Sequence, residues 1–137
     1  MPPPVPQDEA YATYVKKLKK TDGLIDWNSP ALEIERKIRA YFPWPSSYTF
    51  LPERMRKRGT LGRLGVLRAR FAKVEEAWRS AAPGTVLAVT KAGPVVKCYD
   101  TALVLTEVKP EGGSAMDGGS FLRGRSLEPF VDRLVMA

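Results

Sequence analysis

At Pro43-Trp44-Pro45 the apolar period of this 137-residue chain changes from 3.6 residues to 2. Before that point Ala31, Ile34, Ile38 and Phe42 recur at the spacing that lays one helical face on a core. After it Tyr48 and Phe50 alternate with Ser47 and Thr49, the pattern of a strand with one buried face. The switch predicts a helix over about 30–42 followed by a run of short strands. Ser29-Pro30 gives the helix a start signal, because a serine oxygen can cap free amides and proline fits the first helical position. On the outer face, beside Arg36, Glu33 stands four residues before Lys37 and Glu35 four before Arg39, a spacing that favours ion pairing. Pro43 then ends the helix.

The period of 2 continues downstream. Leu67, Ala69 and Phe71 alternate with Arg68 and Arg70, which predicts the apolar trio on the core and both guanidiniums outside. Pro83-Gly84 introduces Thr85 to Val89, Lys91-Ala92-Gly93-Pro94 supplies a turn, and Val95 to Tyr99 and Leu103 to Val108 are apolar again. Five or so short strands of this kind fit a small closed barrel. Gly112-Gly113 breaks the pattern, and Asp117 is placed to cap a last short helix through Phe121 and Leu122 that ends at Gly124. Near the start, Tyr11, Tyr14 and Leu18 have helical spacing, with Lys16, Lys17, Lys19 and Lys20 directed largely to solvent until Thr21-Asp22-Gly23 stops the element. Residues 1–10 read as a Pro-rich linker and residues 11–137 as one domain, mostly β (α+β). Neither a signal peptide nor a membrane-spanning run is visible, and a single cysteine forms no internal disulfide, so the expected setting is cytoplasmic.

The net charge of +7 is local. Residues 30–79 hold twelve Lys or Arg against five acids, while the flanking segments each sum to zero. Between Glu53 and Glu75 no acid interrupts Arg54, Arg56, Lys57, Arg58, Arg63, Arg68, Arg70 and Lys73. Such a run makes a field that attracts polyanions. A solvated, solubilising loop is the plainer alternative.

Catalytic chemistry has little to work with. The chain contains no histidine, which removes imidazole-based triads and His-dependent metal sites. Glu33 with Glu35, the adjacent Glu75-Glu76, Asp26 and Asp100 form no convincing acid-base pair and are read as surface charges or turn acceptors. Cys98 lies in an apolar run and reads as a buried, inert thiol. No catalytic residue and no metal site are assigned.

Several words of the sequence recur in order in one family. They are Tyr14 to Leu18, Asp22-Gly23-Leu24-Ile25-Asp26-Trp27, Ile38-Arg39-Ala40-Tyr41-Phe42-Pro43-Trp44-Pro45, Ala82-Pro83-Gly84-Thr85-Val86 and Phe121-Leu122-Arg123-Gly124-Arg125. From about Tyr11 to Leu134 the chain resembles the C-terminal domain of methionyl-tRNA formyltransferases. That resemblance implies an OB-like β-barrel that contacts initiator methionyl-tRNA and holds it for a separate N-terminal formyltransferase domain, where 10-formyltetrahydrofolate binds. Asp26, Trp27, Pro43, Trp44 and Pro45 match the family and are read as structural: Trp44 packs, the prolines stop the helix, and Asp26 accepts local hydrogen bonds. The chain departs from the family in a basic insertion around Met55 to Arg63, in Gly113 and Ser114 where a basic pair is usual, and in Tyr99-Asp100-Thr101 in place of Gly-Asp-Gly.

The expected function is thus non-catalytic recognition of RNA backbone by Arg and Lys on a barrel face and its basic loop, with Lys16, Lys17, Lys19, Lys20, Arg36, Lys37, Arg39 and the run Arg54, Arg56, Lys57, Arg58, Arg63, Arg68, Arg70 and Lys73 as the candidate contacts. Tyr48, Phe50 and Phe71 have the rings to stack on bases, but their alternation assigns them to the core. Similar domains follow formyltransferase domains in sugar-nucleotide and folate-handling relatives. A scaffold module that packs on a partner domain without RNA is therefore the alternative.

Overall fold

The computed structural model describes residues 19–136 except Lys57 and Val74. The expected linker, the Tyr11-Tyr14-Leu18 element, Lys16, Lys17 and Lys57 lie outside the described residues. A 3-10 turn at Lys20–Gly23 leads to helix α1, Ala31–Tyr41. Six strands follow: β1 (Ser47–Phe50), β2 (Arg63–Ala72), β3 (Val86–Thr90), β4 (Gly93–Lys97), β5 (Ala102–Pro110) and β6 (Met116–Asp117). Helix α2, Gly118–Gly124, comes last, and further 3-10 turns occupy Glu53–Met55 and Glu76–Trp78.

Helix α1 forms as its period predicts, with Ala31, Ile34 and Ile38 buried. Full burial of each isoleucine is worth roughly 1.5–3 kcal/mol. Its start differs from expectation. Ser29 does not cap it; the Ala31 amide donates to Asp100 Oδ1 at 3.0 Å, so the tight turn between β4 and β5 supplies the acceptor. Pro30 occupies the N-cap position, where it offers no side-chain acceptor. Phe42, expected on the inner face, lies just past the last helical turn and is 55% exposed.

The strands form an antiparallel sheet in the order β1-β2-β5-β4-β3, with β6 added to β5. The expected closed barrel is not reached as a ladder, because β1 and β3 are edges that do not pair with each other. Instead the C-terminal segment lies between them. Val135 exchanges two backbone hydrogen bonds with Phe50 of β1, while Leu134 donates to Gly84 O and Val86 of β3 donates to Asp132 O.

The core fills the space between α1, α2 and the inner sheet face with Ile25, Trp27, Leu51, Leu64, Val66, Leu103, Leu105, Val108, Phe121 and Leu134. A smaller cluster of Leu87, Val95, Ala102 and Val104 sits on the outer face under Trp78 and Ala81. Gly23 has a steric reason: a Cβ there would stand 1.9 Å from the Ser46 carbonyl oxygen. Asp26 accepts the Asn28 amide at 3.0 Å, as expected of a turn acceptor. Asp117 caps α2, its Oδ1 accepting the Ser120 amide at 2.6 Å, and the Ser120 donors hold its carboxyl below the usual range.

Candidate nucleic-acid interface

Cross-strand register decides which face of β1 is which. Thr49 stands opposite Leu64 and Ser47 opposite Val66, and both partners belong to the core. The inner residues of β1 are therefore Ser47 and Thr49, the reverse of the alternation read from polarity. Thr49 can be buried because its hydroxyl is fully used: it accepts the Trp27 indole N–H at 3.0 Å and donates to Val135 O at 2.9 Å. Tyr48 and Phe50 lie on the outer face, packed edge to face at 5.8 Å between ring centroids. Two guanidiniums cover them. Arg63 sits 4.5 Å above the Tyr48 ring and Arg56 5.9 Å from the Phe50 ring.

The same register carries the cations along the outer face. Gly65, opposite Tyr48, also pairs with Lys109 of β5, and a Cβ on Gly65 would meet Lys109 O at 3.2 Å. Lys109 is thereby set beside Arg63 at one depression lined also by Ser46, Ser47 and Pro45. A bulge at Leu67 shifts the pairing, after which Arg68 stands opposite Glu107 and bonds it at 3.1 Å. Arg70 follows opposite Val104, an outer-cluster residue, and is exposed as alternation predicts. Ala69 packs on the core; Phe71 shares its side of the strand but lies 50% exposed near the strand end.

The predicted cations divide by what they already hold. Arg54 is committed to Asp132, a carboxylate 3% exposed, through Nε to Oδ1 at 2.9 Å and a second contact from Nη2 to Oδ2. Burial pushes the Asp132 carboxyl upward, but the Arg54 hydrogen bond, the Glu128 amide and the Arg54 charge bring it below the usual range. Arg56 donates from Nε to Leu51 O at 3.1 Å besides covering Phe50. Lys37 and Arg39 make the expected pairs with Glu33 and Glu35, at 3.8 and 2.7 Å. Arg36, Arg58, Arg70 and Lys73 are exposed and have no ion pair among the described residues, and Lys19 and Lys20 are exposed at the first 3-10 turn. Sequence reasoning missed Lys109, because it lies in a segment of zero net charge and joins Arg63 only through strand register.

Trp44, expected to pack, is 55% exposed, and the buried indole of the pair is that of Trp27, 3% exposed. Cys98 is buried, and burial pushes its thiol up to about 12. Among the described residues no group of acids or cysteine has the arrangement of a metal site, and no helix is long and apolar enough to cross a membrane.

Fold and face together define a small α+β domain built on an open antiparallel sheet, with a cation-bearing outer surface. The chain belongs to the family described as formyl transferase, C-terminal domain, whose sequence model matches residues 17–126. It is 44% identical over 120 residues to the methionyl-tRNA formyltransferase of Chloroflexus aggregans, 87% of this chain and 35% of that protein. The corresponding enzyme of Lachnospira eligens is 39% identical over 128 residues, 93% of this chain and 39% of that protein. The chain thus spans little more than a third of these curated relatives. Among solved structures, HypX from Aquifex aeolicus in complex with tetrahydrofolic acid superposes with a TM-score of 0.57 at 15% identity, over 88% of this chain and 22% of HypX. At that identity the likeness concerns the fold.

Proposed function

We propose that this domain is the non-catalytic tRNA-binding part of a methionyl-tRNA formyltransferase, which holds initiator methionyl-tRNA while a separate N-terminal domain transfers the formyl group from 10-formyltetrahydrofolate. The observation that carries the reading is the family membership joined to a sheet face on which Arg63, Lys109, Arg68 and Arg70 follow one another by register. Exposed cations on a fixed scaffold bind phosphates chiefly by releasing counterions, which gives affinity and position rather than sequence. A chain without histidine suits a positioning role, and a translation role implies a cytoplasmic setting. Titration of the domain with methionyl-tRNA across a range of salt tests the reading. Binding that weakens steeply with salt is expected; absence of binding at low salt contradicts it. The domain alone should transfer no formyl group, and turnover above background would contradict the non-catalytic assignment.

A further inference from the structure

We propose that the trench along β2, running from Lys109 on the outer face past Leu67, where β1 no longer covers the strand, to Phe42 at the end of α1, seats an unpaired stretch of RNA, with phosphate between Arg63 and Lys109 and a base against the Phe42-Trp44 turn. This deepens the RNA-binding reading and rests on it.

Two depressions make up the trench. The first lies over Gly65 between Arg63 and Lys109, and the second lies between the end of α1 and the sheet, bordered by Phe42, Arg39 and Arg68. Leu67 lines both. Because Leu67 is two residues from Gly65 along β2, the two depressions adjoin at a step of about 7 Å. Phe42 lines the second and Pro45 the first, so the turn that joins α1 to β1 borders both. Trp44 follows Phe42 by two residues in that turn without lining either depression, and Phe42 and Trp44 are each 55% exposed.

The chemistry differs along the trench. At the first depression Arg63 is held on the buried Tyr48 ring. The adjacent Glu111 is occupied by the backbone amides of Leu61 and Arg63, each at 3.1 Å from its Oε1. Lys109 has no carboxylate partner among the described residues. Two cations against one carboxylate leave the depression net positive, and the backbone amides fix the carboxylate in place. At the second depression Arg39 and Arg68 are paired with Glu35 and Glu107, so its net charge is balanced and its distinctive feature is apolar and aromatic surface. A duplex keeps its base faces stacked inside and has no use for exposed rings; an unpaired base does. Pro43 and Pro45 restrict the turn that carries both rings, so little order is lost when a base settles on them.

The test compares the full chain with Phe42→Ala/Trp44→Ala and Arg63→Gln/Lys109→Gln double variants. Each is titrated with a single-stranded RNA oligonucleotide of mixed sequence and a blunt RNA duplex of equal length, with thermal unfolding as a folding control. The wild type should prefer the single strand. The aromatic variant should lose on the order of tenfold in single-strand affinity, keep its salt slope and bind duplex unchanged, and Trp44→Phe should retain most of the preference. The Arg63/Lys109 variant should flatten the single-strand salt slope by about 0.7 for each phosphate no longer neutralised. Equal single-strand affinity in wild type and aromatic variant overturns the proposal, including the case in which the rings serve a protein partner. So does an unaltered salt slope in the Arg63/Lys109 variant. If tRNA still binds under either result, the seat is wrong and the RNA-binding reading stands; if the wild type binds neither tRNA nor oligonucleotide, both fall.

Discussion

Arg54 and Asp132, 78 positions apart, form a two-point ion pair that ties the connection between β1 and β2 to the segment lying between the two edge strands. Asp132 also accepts the Glu128 amide at 2.6 Å, so one carboxylate organises the C-terminal segment.

Replacing Asp132 with alanine should therefore lower unfolding free energy by roughly 1–3 kcal/mol, the usual cost of stranding buried hydrogen-bonding groups. Its folded carboxyl lies below the unfolded value, so its contribution is present above the unfolded pKa of about 4 and is lost as pH falls through the folded one. Denaturant melts of wild type and Asp132→Asn at descending pH should converge in the acid range. A gap that widens on acidification would contradict the assignment.

Two tryptophans should behave oppositely. Trp27→Ala removes a buried ring and the donor to Thr49, and should cost about 3–5 kcal/mol. Trp44→Ala should leave stability within about 0.5 kcal/mol, as exposed substitutions do. Chemical denaturation of the two variants measures the contrast, and comparable losses would show that Trp44 is packed after all.

Asp100 caps α1 across 69 positions of sequence. Asp100→Ala should cost about 1 kcal/mol, near the middle of measured capping effects, whereas Ser29→Ala should cost less. A larger loss from Ser29 in parallel thermal melts would return the cap to the local serine.

The features legible in the sequence are mostly local. The buried positions of α1, the Asp117 cap of α2, the outward guanidiniums of Arg68 and Arg70, and the inert Cys98 all follow from spacing within a few residues. Those that escape it depend on distant partners. Polarity assigns Thr49 to solvent until Trp27 and Val135 are known to satisfy its hydroxyl, and with Thr49 inside, Tyr48 and Phe50 must turn outward. Arg54 looks like a spare cation until Asp132 is beside it, and Lys109 looks isolated until β5 aligns with β2. Phe42 and Trp44 sit where a helix ends, and periodicity no longer predicts burial there.

Cys98 should resist thiol reagents in the folded protein, because burial both shields it and pushes its thiol up to about 12. At mildly alkaline pH, labelling should track unfolding. Rapid modification of the native protein would contradict the burial.

If the outer-face cations neutralise RNA phosphates, Arg63, Arg70 and Lys109 are the residues to replace, because strand register sets them on that face and none holds an ion pair among the described residues. The decisive measurement is the salt dependence of tRNA binding for wild type and for the Arg63→Gln/Arg70→Gln/Lys109→Gln variant, each shown to be folded by thermal melting. The expected result is weaker binding and a logarithmic slope flatter by about 0.7–0.9 for each phosphate left without its cation. Equal affinities with parallel salt lines would contradict phosphate recognition by this face.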